Sequence, residues 1–244
     1  MDWTRAKSIL IIALLITNLV IGGSIVYQNI VEAEAKKTFL NNTLDILEQK
    51  NIHIECEIPD DRVKMPVLSV EYDDLDQTIL RGQLSLMEAL PESSRSEKDI
   101  VALANKALEK SGIMTDNVEY DRIEESDGKT TVYYVNKIDG VLIEDSYIQC
   151  VVEDGKAVDI KRLWLEPVEL GKNKKEVIPI AEALIRLMHD NQEFDEIRVE
   201  EIELVFWLDT SSLDLGSAIS DTAFPAWKIT YNNGRIKHIT AFRQ

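Results

Sequence analysis

Ser8–Tyr27 reads SILIIALLITNLVIGGSIVY, and this stretch decides how the rest of the 244-residue chain is to be read. No charged side chain occurs from Ser8 to Val31. At about 1.5 Å of rise per residue, roughly 20 helical residues cross the hydrocarbon core of a bilayer. The segment 8–27 therefore reads as a single transmembrane helix. Arg5 and Lys7 precede it, and Glu32 and Glu34 come after it. The positive-inside rule places residues 1–7 in the cytoplasm and everything beyond about residue 28 outside the cell. Trp3 and Tyr27 stand where interfacial aromatics stand. Ala33-Glu34-Ala35 offers the rival reading, a cleaved signal peptide, but the apolar run exceeds the usual signal core.

Within the span, Ala13, Thr17 and Ser24 share one helical face, with Asn18 beside it. Small residues let membrane helices approach closely, and Asn can hydrogen-bond across the contact. These four residues are the candidate partner-binding face.

Composition narrows the function classes. Lys and Arg number 27 against 44 Asp and Glu, a net charge of −17. Phosphate contacts need basic patches, so nucleic acid is not an expected partner. Two Cys exclude a disulfide framework and a Cys-rich zinc site. His53, His189 and His238 show no ligand spacing, and no nucleophile or phosphate-loop motif occurs. The expectation is a non-enzyme with no cofactor and no metal. The clusters Asp73-Asp74-Leu75-Asp76 and Asp209, Asp214, Asp221 lack the EF-hand order and read as solvated loops. Cys56 and Cys150 fall on apolar strand faces; both buried thiols and a disulfide are compatible with export. Trp207 and Trp227 read as core or half-exposed sheet residues, with an exposed contact patch on the ectodomain as the alternative.

Outside the span, Lys36–Lys50 has helical spacing, with Phe39, Leu40, Leu44, Ile46 and Leu47 as its stripe. Alternation from Ile52 to Ile58 predicts a strand, and Pro66–Glu71 a second. Tyr72–Ser96 is acidic and mixed, with a loop at Pro91–Ser94. A helix at Glu97–Lys110, capped by Ser96 and ended by Gly112, precedes strands near 117–125, 129–138, 141–153 and 156–165. Asp139-Gly140 and Asp154-Gly155 join the last three as hairpins. A helix near 175–190 then precedes strands near 196–209, 225–232 and 235–243, the last two joined at Asn233-Gly234. Gly155 and Gly234 are each followed five residues later by Ile, which suggests duplication. The fold class is therefore α+β: one transmembrane helix, then an ectodomain of two repeated helix-on-antiparallel-sheet units. The expected divisions are 1–7, cytoplasmic; 8–27, transmembrane; 28–95, juxtamembrane helix and first strands; and the two units at 96–168 and 169–244.

The opening Met1-Asp2-Trp3 with Arg5, Lys7 and an Ile/Leu-rich span resembles the YycI family of two-component regulatory proteins. Ile52-x-Ile54 ending at Ile58-Pro59, then Pro66-x-Leu68-x-Val70, fits the same family. Tyr133-Tyr134 through Gly140 to Glu144, Asp154-Gly155-Lys156, and Trp227-x-Ile229 before Asn233-Gly234 are similar to PepSY and YycH-like sheet units. The resemblance implies a single-pass protein of the Gram-positive cell membrane with an extracellular C-terminal domain. It implies two partners, a WalK-like sensor histidine kinase of a cell-wall two-component system and a YycH-like sister single-pass protein. Gly22-Gly23 late in the span and a short acidic middle depart from the family pattern. The alternative reading is an exported PepSY- or propeptide-like module that binds or restrains an extracellular protease or peptide.

Overall fold

The computed structural model describes residues 3–59, 63–73, 77–91, 95–190, 196–208 and 220–242. Asp74, Asp76, Asp209 and Asp214 of the two acidic clusters lie outside the described residues. The chain is α+β and divides into two compact units, Met1–Ile54 with Ile180–Arg198, and Glu55–Pro179 with Val199–Gln244.

The first unit is built on α1, one uninterrupted helix over Trp3–Gln49. It joins the span and the juxtamembrane helix, which the sequence reading treats as separate. The junction Gln28–Ala35 contains neither Gly nor Pro, and Lys36 pairs with Glu32 one turn back at 3.2 Å. The apolar segment from Leu10 onward is long enough to cross a membrane and is exposed throughout its most apolar window. Toward its C-terminus, Thr43 and Leu47 become buried and Leu40 and Leu44 half-buried. Phe39 and Ile46 of the expected stripe stay outside, at 46 % and 49 % exposure. The buried stripe is thus rotated by about one position toward Thr43. Helix α4 (Ile180–Asp190) packs against α1 and buries Ala181, Ala183, Leu184 and Leu187. Asn51 ends α1 with φ 57°, the left-handed cap that Asn tolerates. Strand β1 comes next, over Ile52–Ile54 only, shorter than the alternation suggests. The backbone N–H of Ile197 donates to Asn51 O at 2.9 Å.

The second unit is a sheet with two helices. Its elements are β2 (Lys64–Met65), β3 (Leu68–Tyr72), α2 (Gln77–Ser85), α3 (Glu97–Lys110), β4 (Val118–Ser126), β5 (Lys129–Ile138), β6 (Val141–Glu153), β7 (Lys156–Leu163), β8 (Leu165–Leu170) and β9 (Lys175–Glu176), then β10 (Ile197–Trp207), β11 (Ser220–Tyr231) and β12 (Arg235–Thr240). Only the first two residues of β10 belong to the first unit. The strand order is β4-β5-β6-β10-β11-β3-β8, with β7 on β6 and β12 on β11, and β2 pairs separately with β9.

Sequence chemistry explains the best-defined part. Ser96 and Asp99 form a reciprocal capping box at the start of α3, and Gly112 stands just past its end at φ +68°. Asp127-Gly128, Asp139-Gly140 and Asp154-Gly155 all take positive φ at both positions, as tight hairpins require. Leu103, Ala104, Ala107 and Leu108 of α3 pack with Val132, Tyr134, Ile148, Cys150, Ile160 and Trp164 of the strands. The acidic stretch 72–96 is not loop throughout. It holds α2, whose Leu80 and Leu84 enter the same core at 1 % and 2 % exposure.

Candidate functional site

Of the proposed membrane face, Ala13, Thr17, Asn18 and Ser24 all lie exposed on α1. Thr17 Oγ1 donates to Ala13 O at 2.9 Å, so its hydroxyl is satisfied within the helix. The Asn18 amide makes no hydrogen bond among the described residues. Gly22 and Gly23 have nothing within 4 Å of where a Cβ would stand. Nothing in this chain therefore requires glycine there, although each costs about 1 kcal/mol in a helix interior relative to Ala.

The two tryptophans separate. Trp227 is fully enclosed, with its Nε1–H donating to Ile178 O at 3.0 Å. It belongs to the core, which removes it as an ectodomain contact. Trp207 is half-buried and stacks on His238, centroids 5.0 Å apart and planes 8° from parallel. Both cysteines are free; Cys150 is buried and Cys56 half-buried. Burial pushes the Cys150 thiol up to about 12, which keeps it unreactive.

The feature that sequence reasoning missed is a groove on the second unit. Three neighbouring strands leave their ladders together. In β4 the register slips between Tyr120 and Arg122, and in β5 between Val135 and Lys137. In β6, Ile143 pairs in parallel with Phe206 of β10, and antiparallel pairing to β5 resumes only at Tyr147. Asp145 between them has φ 58°. The other non-glycine residues with positive φ all lie in turns or at a helix end, whereas Asp145 sits within a strand. Strand irregularities of this kind re-aim side chains and gather at functional sites.

Together the irregular strands enclose a groove of about 250 Å³ lined by β4, β5, β6 and Lys228. Ser146 in its lining is anchored by hydrogen bonds from behind. Asn136 Nδ2 donates to Ser146 Oγ at 2.9 Å and to Leu165 O at 2.8 Å, and Leu165 N–H donates to Ser146 Oγ at 3.0 Å. Glu144 is 8 % exposed. Its carboxylate lies 3.2 Å from Lys228 Nζ and 3.6 Å from His238 Nε2. Burial raises the Glu144 carboxyl, but His238 and Lys228 outweigh it and hold the group below its ordinary value. Glu203, opposite Lys228 on β10, is pushed up by burial and by Glu201. On the outer wall the Arg122 guanidinium lies 4.1 Å over the Tyr133 ring and is held by Asp121 and Glu124. The available signal was Glu144-Asp145-Ser146, three consecutive polar residues within a largely apolar strand.

The chain thus combines a helix long and apolar enough to cross a membrane with an α+β fold, and among the described residues no three His, Cys, Asp or Glu gather as a metal site. The family described as YycI protein matches residues 33–242, and the chain belongs to that family of two-component regulatory proteins. No curated protein matches it. Among solved structures it is similar to the Bacillus megaterium YpeB C-terminal domain, at 16 % identity and a TM-score of 0.35. That similarity covers 63 % of this chain and spans 64 % of the other.

Proposed function

We propose that the protein is a membrane-anchored, extracytoplasmic regulator of a sensor histidine kinase in a cell-wall two-component system. It acts without catalysis, through contacts of its span and ectodomain with a WalK-like kinase and a YycH-like sister protein. Its N-terminus lies in the cytoplasm, as Arg5 and Lys7 favour, and its C-terminal domain is extracellular. Family membership supports the class, and the single observation that carries the mechanism is the continuity of α1.

Helix Trp3–Gln49 has 47 residues. At 1.5 Å per residue it is about 70 Å long, of which a bilayer core takes about 30 Å. The remainder is a stiff extension whose far end is held by α4. A change of contact at α4 or along the extension therefore reaches the span as rotation, tilt or piston movement of one rod. If the span packs better against one signalling state of the kinase by about 1.4 kcal/mol, the population ratio changes tenfold.

The test is affinity purification of the full-length protein from gently solubilised native membranes, with mass spectrometry of the proteins that accompany it. A sensor kinase and a single-pass sister protein are expected, both reduced when residues 8–27 are replaced by an unrelated span. Recovery of a secreted protease in their place would overturn the reading.

A further inference from the structure

We infer that the groove between β4, β5 and β6 is a docking site for a basic side chain presented by an extended segment of a partner protein. Charge complementarity selects this occupant. Of the two cations in the lining, Arg122 is already held by Asp121 and Glu124, and Lys228 by Glu144. Asp145 is exposed and has no ion-pair partner among the described residues. Negative potential extends beyond it: burial, then Asp221 and Asp145, raise the Tyr72 hydroxyl. An anionic occupant would meet this field with no free cation to receive it, whereas a cation gains a carboxylate without displacing an existing pair.

Size and lining point the same way. A volume of about 250 Å³ lies below the roughly 300–1,000 Å³ of ordinary small-molecule pockets but accommodates one long side chain. Tyr147, 38 % exposed in the lining, offers a ring face for a lysine or arginine stem. Ser146 in the lining is held by Asn136 Nδ2 and Leu165 N–H from behind, which fixes that side of the groove. The site is defined on the ectodomain and would be filled whether or not that partner is a kinase.

Asp145→Asn is the informative substitution, because Asn accepts the left-handed backbone as readily as Asp and so removes charge without refolding the strand. Glu109→Gln, on the exposed part of α3, removes the same charge elsewhere and controls for the general acidity of the protein. The full-length protein in detergent is titrated with a fluorescent, end-blocked alanine–serine heptapeptide carrying two lysines, and with its norleucine counterpart. We expect saturable binding of the lysine peptide only. Asp145→Asn and Tyr147→Ala should each weaken it about three- to tenfold, the scale of one partly screened ion pair or stem contact, while Glu109→Gln leaves it unchanged. Absence of binding, equal binding of the norleucine peptide, or equal loss in Glu109→Gln would overturn the inference.

Discussion

Gly155 shows how one residue can hold a segment in place. Its carbonyl accepts from Leu90 N–H at 2.7 Å, and Asp154 O accepts from Arg95 at 2.8 Å. The chain after α2 is thereby fastened to the β6–β7 turn. A Cβ on Gly155 would stand 2.9 Å from Leu90 O, at φ +75°. Gly155→Ala should destabilise the protein by about 1–3 kcal/mol, read as a lower urea midpoint with an unchanged slope. Glu144 makes a different prediction. Its folded carboxyl sits below the ordinary 4.5, so as pH falls the unfolded chain takes up this proton first. The stability it contributes is full above 4.5 and is lost as pH drops through the lower folded value. Urea midpoints should therefore fall more steeply on acidification in the native protein than in Glu144→Gln, and parallel curves would contradict the assigned pairing. In the span, Asn18→Leu should weaken partner recovery more than Thr17→Val. The Thr17 hydroxyl is already bonded within α1, whereas the Asn18 amide is left to bond across a helix contact.

At the scale of elements, α1 carries the testable geometry. Each residue added between the span and the C-terminal end of α1 turns one about 100° relative to the other. One alanine inserted after Ala35 should lower kinase recovery from membranes, and four, which nearly restore the phase, should recover most of it. Equal recovery for all lengths would show that α1 is only a tether. The elements also show how much could be read in advance. Helix α3 and strands β4 to β7 were legible because capping and turn residues punctuate them locally: Ser96, Asp99, Gly112 and the Asp-Gly pairs. Helix α2 was not, because Gly82 weakens its propensity and acidic residues precede it. Its helicity comes from burying Leu80 and Leu84 against distant strands. The groove was hidden for a related reason. A break in pairing shared by β4, β5 and β6 depends on register across three strands, and sequence shows only the polar interruption at Glu144–Ser146.

For the whole molecule, the proposed mechanism makes the span and the extension of α1 that packs on α4 one mechanical part. It separates this protein from a module that works wherever it is displayed. The direct measurement is autophosphorylation of the purified kinase in lipid vesicles, alone, with the full-length protein, and with a version whose residues 8–27 are replaced by an unrelated apolar span. The native chain should change the rate several-fold, and the replaced span should abolish the change while the ectodomain remains folded. An undiminished effect with the foreign span would contradict the mechanism.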